Sequence, residues 1–211
     1  MLVYTKEIAS DVLLGLWRME EGTSWDDCPQ EVVSGLGAFC AGRRQEVAST
    51  YSLLHAMTGE KGILIQHDSS GKPSIDGWNI SISHTKGYVA IILSHSRNVA
   101  IDLEYINPRV NKIAGRFLRS DENATDLLSR LVHWCAKETM YKYFSEQHLG
   151  FEEMRVRPFT VRSCGEVEAE NMKTSKVLNV HYVCNAPEYG EVQSFRHLPA
   201  VSEVHNKDSS F

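Results

Sequence analysis

Three strand patterns follow one another between Trp78 and Tyr105, and this run sets the fold more firmly than any other part of the chain. Trp78 to Ser83 alternates: Trp78, Ile80 and Ile82 fall on one face, and Asn79, Ser81 and Ser83 on the other. That period of two belongs to a half-buried strand. Tyr88 to Ser94 and Asn98 to Tyr105 supply two more strands, joined by the polar turn His95-Ser96-Arg97. Helices flank the run in sequence. Ser34 to Thr58 reads as loop then helix, with Val47, Tyr51, Leu54 and Met57 at helical spacing and Gly59 as a stop. Leu127 to Phe144 is the strongest helical pattern of the chain. Asn107-Pro108 resembles an N-cap with proline in the first turn, opening a further helix to about Leu118. The order helix, strands, helix, strands predicts an α+β protein of two similar lobes, 1–97 and 98–211, meeting near residues 95–100.

The remaining segments give weaker signals. Ile63-Leu64-Ile65 reads as a short strand, and His67 to Gly77 as a turn-rich loop. Phe159 to Arg162 and Val177 to Val183 read as late strands. The polar tail from Val201 to Phe211 is expected to fray.

Composition narrows the function. The 211 residues are 42% hydrophobic and 23% charged, as in ordinary globular proteins. The apolar runs are too short for a transmembrane helix, and residues 1–7 lack the pattern of a signal peptide. Five cysteines without CxxC spacing suit reduced thiols in a cytoplasm. The nine histidines offer no zinc-ligand spacing. A net charge of −5 argues against nucleic acid as the main partner, though a local basic patch can still meet an acidic protein.

Four groups of residues carry chemistry. Asp102 and Glu104 sit two apart in an apolar strand, so both point to one face. Adjacent carboxylates repel, so the pair implies either a compensating hard cation such as Mg²⁺ or Mn²⁺ or a solvated edge. Glu138 and Lys142 are i and i+4 on the helix, one turn beyond Trp134, which is consistent with a surface ion pair or with a carboxylate aimed inward at a metal. His84 closes the polar-faced strand. Arg43-Arg44 opens a helix and suits either phosphate or solvent.

Taken in order, these residues resemble the motifs of the 4′-phosphopantetheinyl transferase superfamily, in particular its long, monomeric, two-lobe type that activates peptide synthetases. Gly71-Lys72-Pro73 resembles the GKP turn, and Asn79 to His84 the N-x-S-x-S-H strand. Ile101-Asp102-Leu103-Glu104 resembles the G-I-D-I-E strand, with Ala100 in the glycine place. Arg116-Phe117 followed by Glu122 resembles the F-x-x-x-x-E element, and Trp134 to Lys142 the W-x-x-K-E-x-x-x-K helix. The resemblance implies two α/β lobes related by a pseudo-twofold axis, with coenzyme A bound in the cleft between them. It implies Mg²⁺-dependent transfer of the 4′-phosphopantetheine arm to a serine of an acyl or peptidyl carrier protein, releasing adenosine 3′,5′-bisphosphate. It implies Asp102, Glu104 and Glu138 as metal ligands. Lys72 and His84 would contact the nucleotide phosphates or adenine side, with Ser83 beside them, Arg43 would reach the 3′-phosphate, and Lys142 would neutralise charge on the pyrophosphate. Glu138, Glu122 or a water would take the serine proton.

Two departures stand out. Tyr51 occupies a place where the family often carries an arginine, and Ser145 to Gly150 replaces a glycine- and lysine-rich segment. Two other readings therefore stay open: a metal-dependent phosphohydrolase acting on another pyrophosphate, and a non-catalytic relative that binds coenzyme A or a carrier. Independently of the family, Arg109, Lys112, Arg116 and Arg119 are spaced to form one helical stripe, with Val110, Ile113, Ala114 and Phe117 on another face. The stripe is a candidate docking face for an acidic carrier.

Overall fold

The structure is a computed structural model describing residues 1–184 and 200–205. It is mixed α+β and divides into two compact units, Met1–Val99 and a second beginning at Ala100. Among the described residues no helix is long and apolar enough to cross a membrane.

The first unit is built on four antiparallel strands in the order β1-β2-β6-β5: β1 Leu2–Ala9, β2 Val12–Arg18, β5 Asn79–Thr85 and β6 Tyr88–Ser94. β6 lies inside the sheet and is buried along its whole length. A short helix α1 (Gln30–Gly35) precedes α2 (Ala41–Thr58), which packs on β2 and β6. Leu53 and Leu54 of α2 meet Ile80, Val89, Ile91 and Leu93 in one apolar cluster. Gly15 allows that approach: a Cβ there would lie 2.5 Å from Met57 Sδ and 2.8 Å from Leu53 Cδ1. Gly59 ends α2 in the left-handed region, at φ 76°, with its N–H on the His55 carbonyl.

The β1–β2 hairpin lay outside the sequence reading. Its turn is tied down by Asp11, whose carboxylate accepts hydrogen bonds from Ser96 Oγ at 2.7 Å, Ser96 N at 2.8 Å and Ser94 Oγ at 2.9 Å. These bonds, led by the Ser96 hydroxyl, hold the Asp11 carboxyl down to about 2. The expected strand at Ile63 to Ile65 is absent. The chain instead pairs β3 (Gln66–His67) with β4 (Pro73–Ser74), and Asp68 to Lys72 form the turn between them.

The second unit holds a five-stranded sheet in the order β7-β11-β10-β9-β8, from β7 Val99–Glu104, β8 Met154–Val156, β9 Cys164–Asn171, β10 Lys176–Val183 and β11 Ala200–His205. Its helices are α3 (Arg109–Phe117) and α4 (Leu127–Tyr143). Asn107 Oδ1 accepts the Arg109 N–H at the start of α3. Asp126 and Ser129 form a capping box on α4. Val132, Ala136 and Met140 of α4 pack on Val167, Ala169, Leu178 and Val180 of the sheet. Two expectations are corrected. Phe159 to Arg162 is not a strand, because Phe159 packs its ring against His133 and Tyr182 instead. Of the tail expected to fray, residues 201–205 belong to β11, which is paired within the sheet, and 206–211 lie outside the described residues.

Candidate active site

Strand β7 and helix α4 bring the acidic residues of the second unit together. Asp102 is buried in β7, and its Oδ1 accepts a hydrogen bond from Lys142 Nζ at 2.8 Å. The same ammonium donates to the Ile101 carbonyl at 2.8 Å, so Lys142 spans from α4 to the strand. Burial, then the charges of Asp102 and Glu104, raise the buried Cys135 thiol well above its usual value. Glu104 Oε1 accepts from Trp134 Nε1 at 2.9 Å. That indole is held in turn by Phe117, with ring centroids 5.2 Å apart, and by Phe151 at 5.7 Å.

Electrostatics single out Glu138. Burial, then the charge of Asp102 and more weakly that of Glu104, push its carboxyl up to about 7, against an opposing pull from Lys142. Glu104 is raised as well, first by burial and then by Asp102. One lysine therefore faces three carboxylates that sense one another. Among the described residues no three His, Cys, Asp or Glu side chains are gathered as a metal chelate. The donor set nevertheless fits a hard divalent cation in kind: its side-chain donors are all oxygen, its negative charge exceeds its positive, and it is drawn out of solvent.

Glu122 stands apart from this group. Its side chain and that of Lys137 are both fully buried, 2.7 Å apart. Glu122 also accepts the N–H groups of Arg119 at 2.8 Å and Val156 at 2.6 Å. Lys137 donates further to the Phe117 carbonyl at 2.6 Å. Both oxygens of this enclosed carboxylate are taken by protein donors. Together with Lys137 it clamps the end of α3 and the end of β8 onto α4. Sequence spacing hid this pair, because Glu122 and Lys137 lie 15 residues apart, one on a loop and one on α4.

The nucleotide-side candidates lie in the first unit. A cavity of about 450 Å³ is lined by Arg43, Tyr51, His67, Ile82 and His84, and by Gly71 and Pro73 on either side of Lys72 in the turn. Arg43 Nη1 and His84 Nε2 are 3.5 Å apart. Ser83, the neighbour of His84 on β5, is buried. Tyr51 is nearly buried, and its hydroxyl oxygen accepts the Ile65 N–H at 3.4 Å. Glu46, to which the sequence reading gave no role, pairs with Arg43 at 3.0 Å and lies 3.7 Å from His84 Nδ1. The signal was present: Arg43 and Glu46 are i and i+3 on α2.

The basic stripe is shorter than its spacing suggested. Arg109, Lys112 and Arg116 are exposed on α3, and none makes an ion pair among the described residues. Arg119 lies beyond the end of the helix, where it bonds Asp121 at 2.9 Å and the Glu152 carbonyl.

Comparison with known proteins bears on the half of the chain that holds Asp102, Glu104, Glu138 and Lys142. A search of curated proteins finds no match to the chain. A family model described as the 4′-phosphopantetheinyl transferase superfamily matches residues 98–196. Over that segment, the chain is similar to the 4′-phosphopantetheinyl transferase superfamily.

Proposed function

We propose that the chain transfers 4′-phosphopantetheine from coenzyme A to a serine hydroxyl of an acyl or peptidyl carrier protein. The observation that carries this reading is the convergence of Asp102, Glu104, Glu138 and Lys142 on one region of the second unit, within the segment that matches the superfamily. In this reading Asp102, Glu104 and Glu138 hold Mg²⁺, or Mn²⁺ in its place. When bound, the ion supplies Lewis-acid polarisation of the pyrophosphate and neutralises its charge.

The residues of the chain divide the remaining work. Arg43, Lys72, Ser83 and His84 take the nucleotide end of coenzyme A. Lys142, already fixed by Asp102 and the Ile101 carbonyl, presents its ammonium to the phosphates and favours the charge that develops on the leaving oxygen. Glu138, which lies within electrostatic reach of Asp102 and Glu104, takes the proton of the incoming serine. The serine oxygen bonds to the β-phosphorus as the bond from that phosphorus to its bridging oxygen breaks. Adenosine 3′,5′-bisphosphate leaves. Arg109, Lys112 and Arg116 form the face that draws in an acidic carrier.

The test is mass spectrometry of an apo carrier protein incubated with the chain, coenzyme A and Mg²⁺. The expected result is a mass gain of one phosphopantetheine on the carrier, lost with Asp102→Ala. Breakdown of coenzyme A with no carrier modification would overturn the transferase reading in favour of a phosphohydrolase.

A further inference from the structure

The cavity of the first unit sets a carboxylate beside its basic groups. Arg43 Nη1 lies 3.0 Å from Glu46 Oε2, while the other oxygen of Glu46 lies 3.7 Å from His84 Nδ1. One carboxylate thus answers both basic groups of the wall. Glu31 of α1 adds a second carboxylate to the lining. Tyr51 stands in the same wall as a neutral phenol, its acidity lowered further by burial. Much of the remaining surface is apolar, from Phe39, Val47, Ile65 and Ile82. Such a lining suits a flat, largely neutral ring system such as a nucleoside. It suits a phosphomonoester poorly. A dianion drawn to Arg43 would have to share the cavity with the carboxylates of Glu46 and Glu31, and like charges repel.

Resting on the transferase reading above, we propose that this cavity accepts the adenosine end of the donor without selecting for its 3′-phosphate. Dephospho-coenzyme A then serves as a phosphopantetheine donor alongside coenzyme A, and Glu46 is the residue that sets this tolerance. The chemistry balances in the same way for both donors. The serine oxygen–phosphorus bond forms, the bond to the bridging oxygen breaks, and the serine proton passes to Glu138. The leaving group is adenosine 5′-monophosphate in place of adenosine 3′,5′-bisphosphate.

The test is calorimetric titration of the full chain with each nucleotide in the presence of Mg²⁺, repeated with Glu46→Gln, and transfer to an apo carrier read by mass spectrometry with each donor. Glu46→Gln keeps the helix and the side-chain shape while freeing Arg43 and His84. For the native chain the two dissociation constants should differ by less than about tenfold, and both donors should modify the carrier. In Glu46→Gln coenzyme A should bind more tightly, widening the preference by about tenfold, the size of one charge-assisted hydrogen bond. A native preference for coenzyme A of tenfold or more would overturn the proposal, as would a ratio that Glu46→Gln fails to widen. If neither nucleotide binds and neither modifies the carrier, the transferase reading itself falls, an outcome distinct from tight but selective binding of coenzyme A.

Discussion

Removing either member of the buried Lys137–Glu122 pair should be among the most damaging single changes in the second unit. Both side chains have no exposure, so neither charge can fall back on water when its partner is lost. Lys137→Met leaves the Glu122 carboxylate buried with two backbone donors, the N–H groups of Arg119 and Val156. Breaking a buried pair in this way costs about 3–5 kcal/mol. Glu122→Leu should cost at least as much, since it strands those two N–H groups as well as the ammonium, and each orphaned group adds about 1–3 kcal/mol. The double variant Lys137→Met/Glu122→Leu removes both charges together and should cost less than the sum of the singles by about 2 kcal/mol or more. Urea unfolding followed by circular dichroism, with all four proteins in one cycle, measures this. Additivity within about 0.5 kcal/mol would refute the argument, because two charges that do not interact add and two that depend on each other do not.

Three further changes follow from the geometry. Glu138 carries a raised pKa, so the metal-free protein should be most stabilised by its protonated form below pH 4.5 and lose that contribution as pH rises through about 7. Glu138→Gln should remove roughly 2–3 kcal/mol of that pH dependence in thermal melts with a chelator, and a melting curve with the native pH dependence would count against it. Asp11 is the reverse case, with its pKa held down to about 2: its contribution is present above about pH 4 and fades as pH falls toward 2. Asp11→Ala should cost roughly 1 kcal/mol at pH 7, after allowing for solvent screening, and nearly nothing at pH 2. Finally, Arg109→Glu/Arg116→Glu should slow carrier modification at low salt and limiting carrier while leaving the coenzyme A dissociation constant unchanged; an unchanged rate would end the docking role of α3.

The sequence disclosed the elements whose burial is one-sided and local. α2 ends at Thr58 before Gly59, and α4 spans Leu127–Tyr143 behind its capping box, both as their patterns implied. β6 and β7 likewise follow their apolar runs. The missed strands had reasons to be missed. β1 is an edge strand, and its burial does not alternate, so Leu2 to Ala9 shows no period of two. β11 lies between β7 and β10, partners chosen by long-range pairing rather than by any property of residues 200–205 alone. β9 is a different matter: Glu166, Glu168 and Glu170 alternate with the buried Val167, Ala169 and Asn171, a readable signal obscured by its high charge.

The same contrast explains the candidate site. Asp102 and Lys142 meet although forty residues separate them, and both were visible because each sits on a regular element with a polar residue breaking an apolar pattern. The bond from Trp134 to Glu104, thirty residues apart, was not visible, because a tryptophan in a helix reads first as core. Lys137 makes the point most sharply. It neighbours Glu138 in sequence, yet it turns into the protein while Glu138 is tuned by the acids of β7. On a helix, adjacent residues are about 100° apart, so one charged dipeptide can serve two environments. Lys137 anchors α4 to Glu122, and that anchoring fixes where Trp134, Glu138 and Lys142 stand. The rigidity of the acidic group is therefore a product of the buried pair behind it, which ties the stability of the second unit to the chemistry proposed for it.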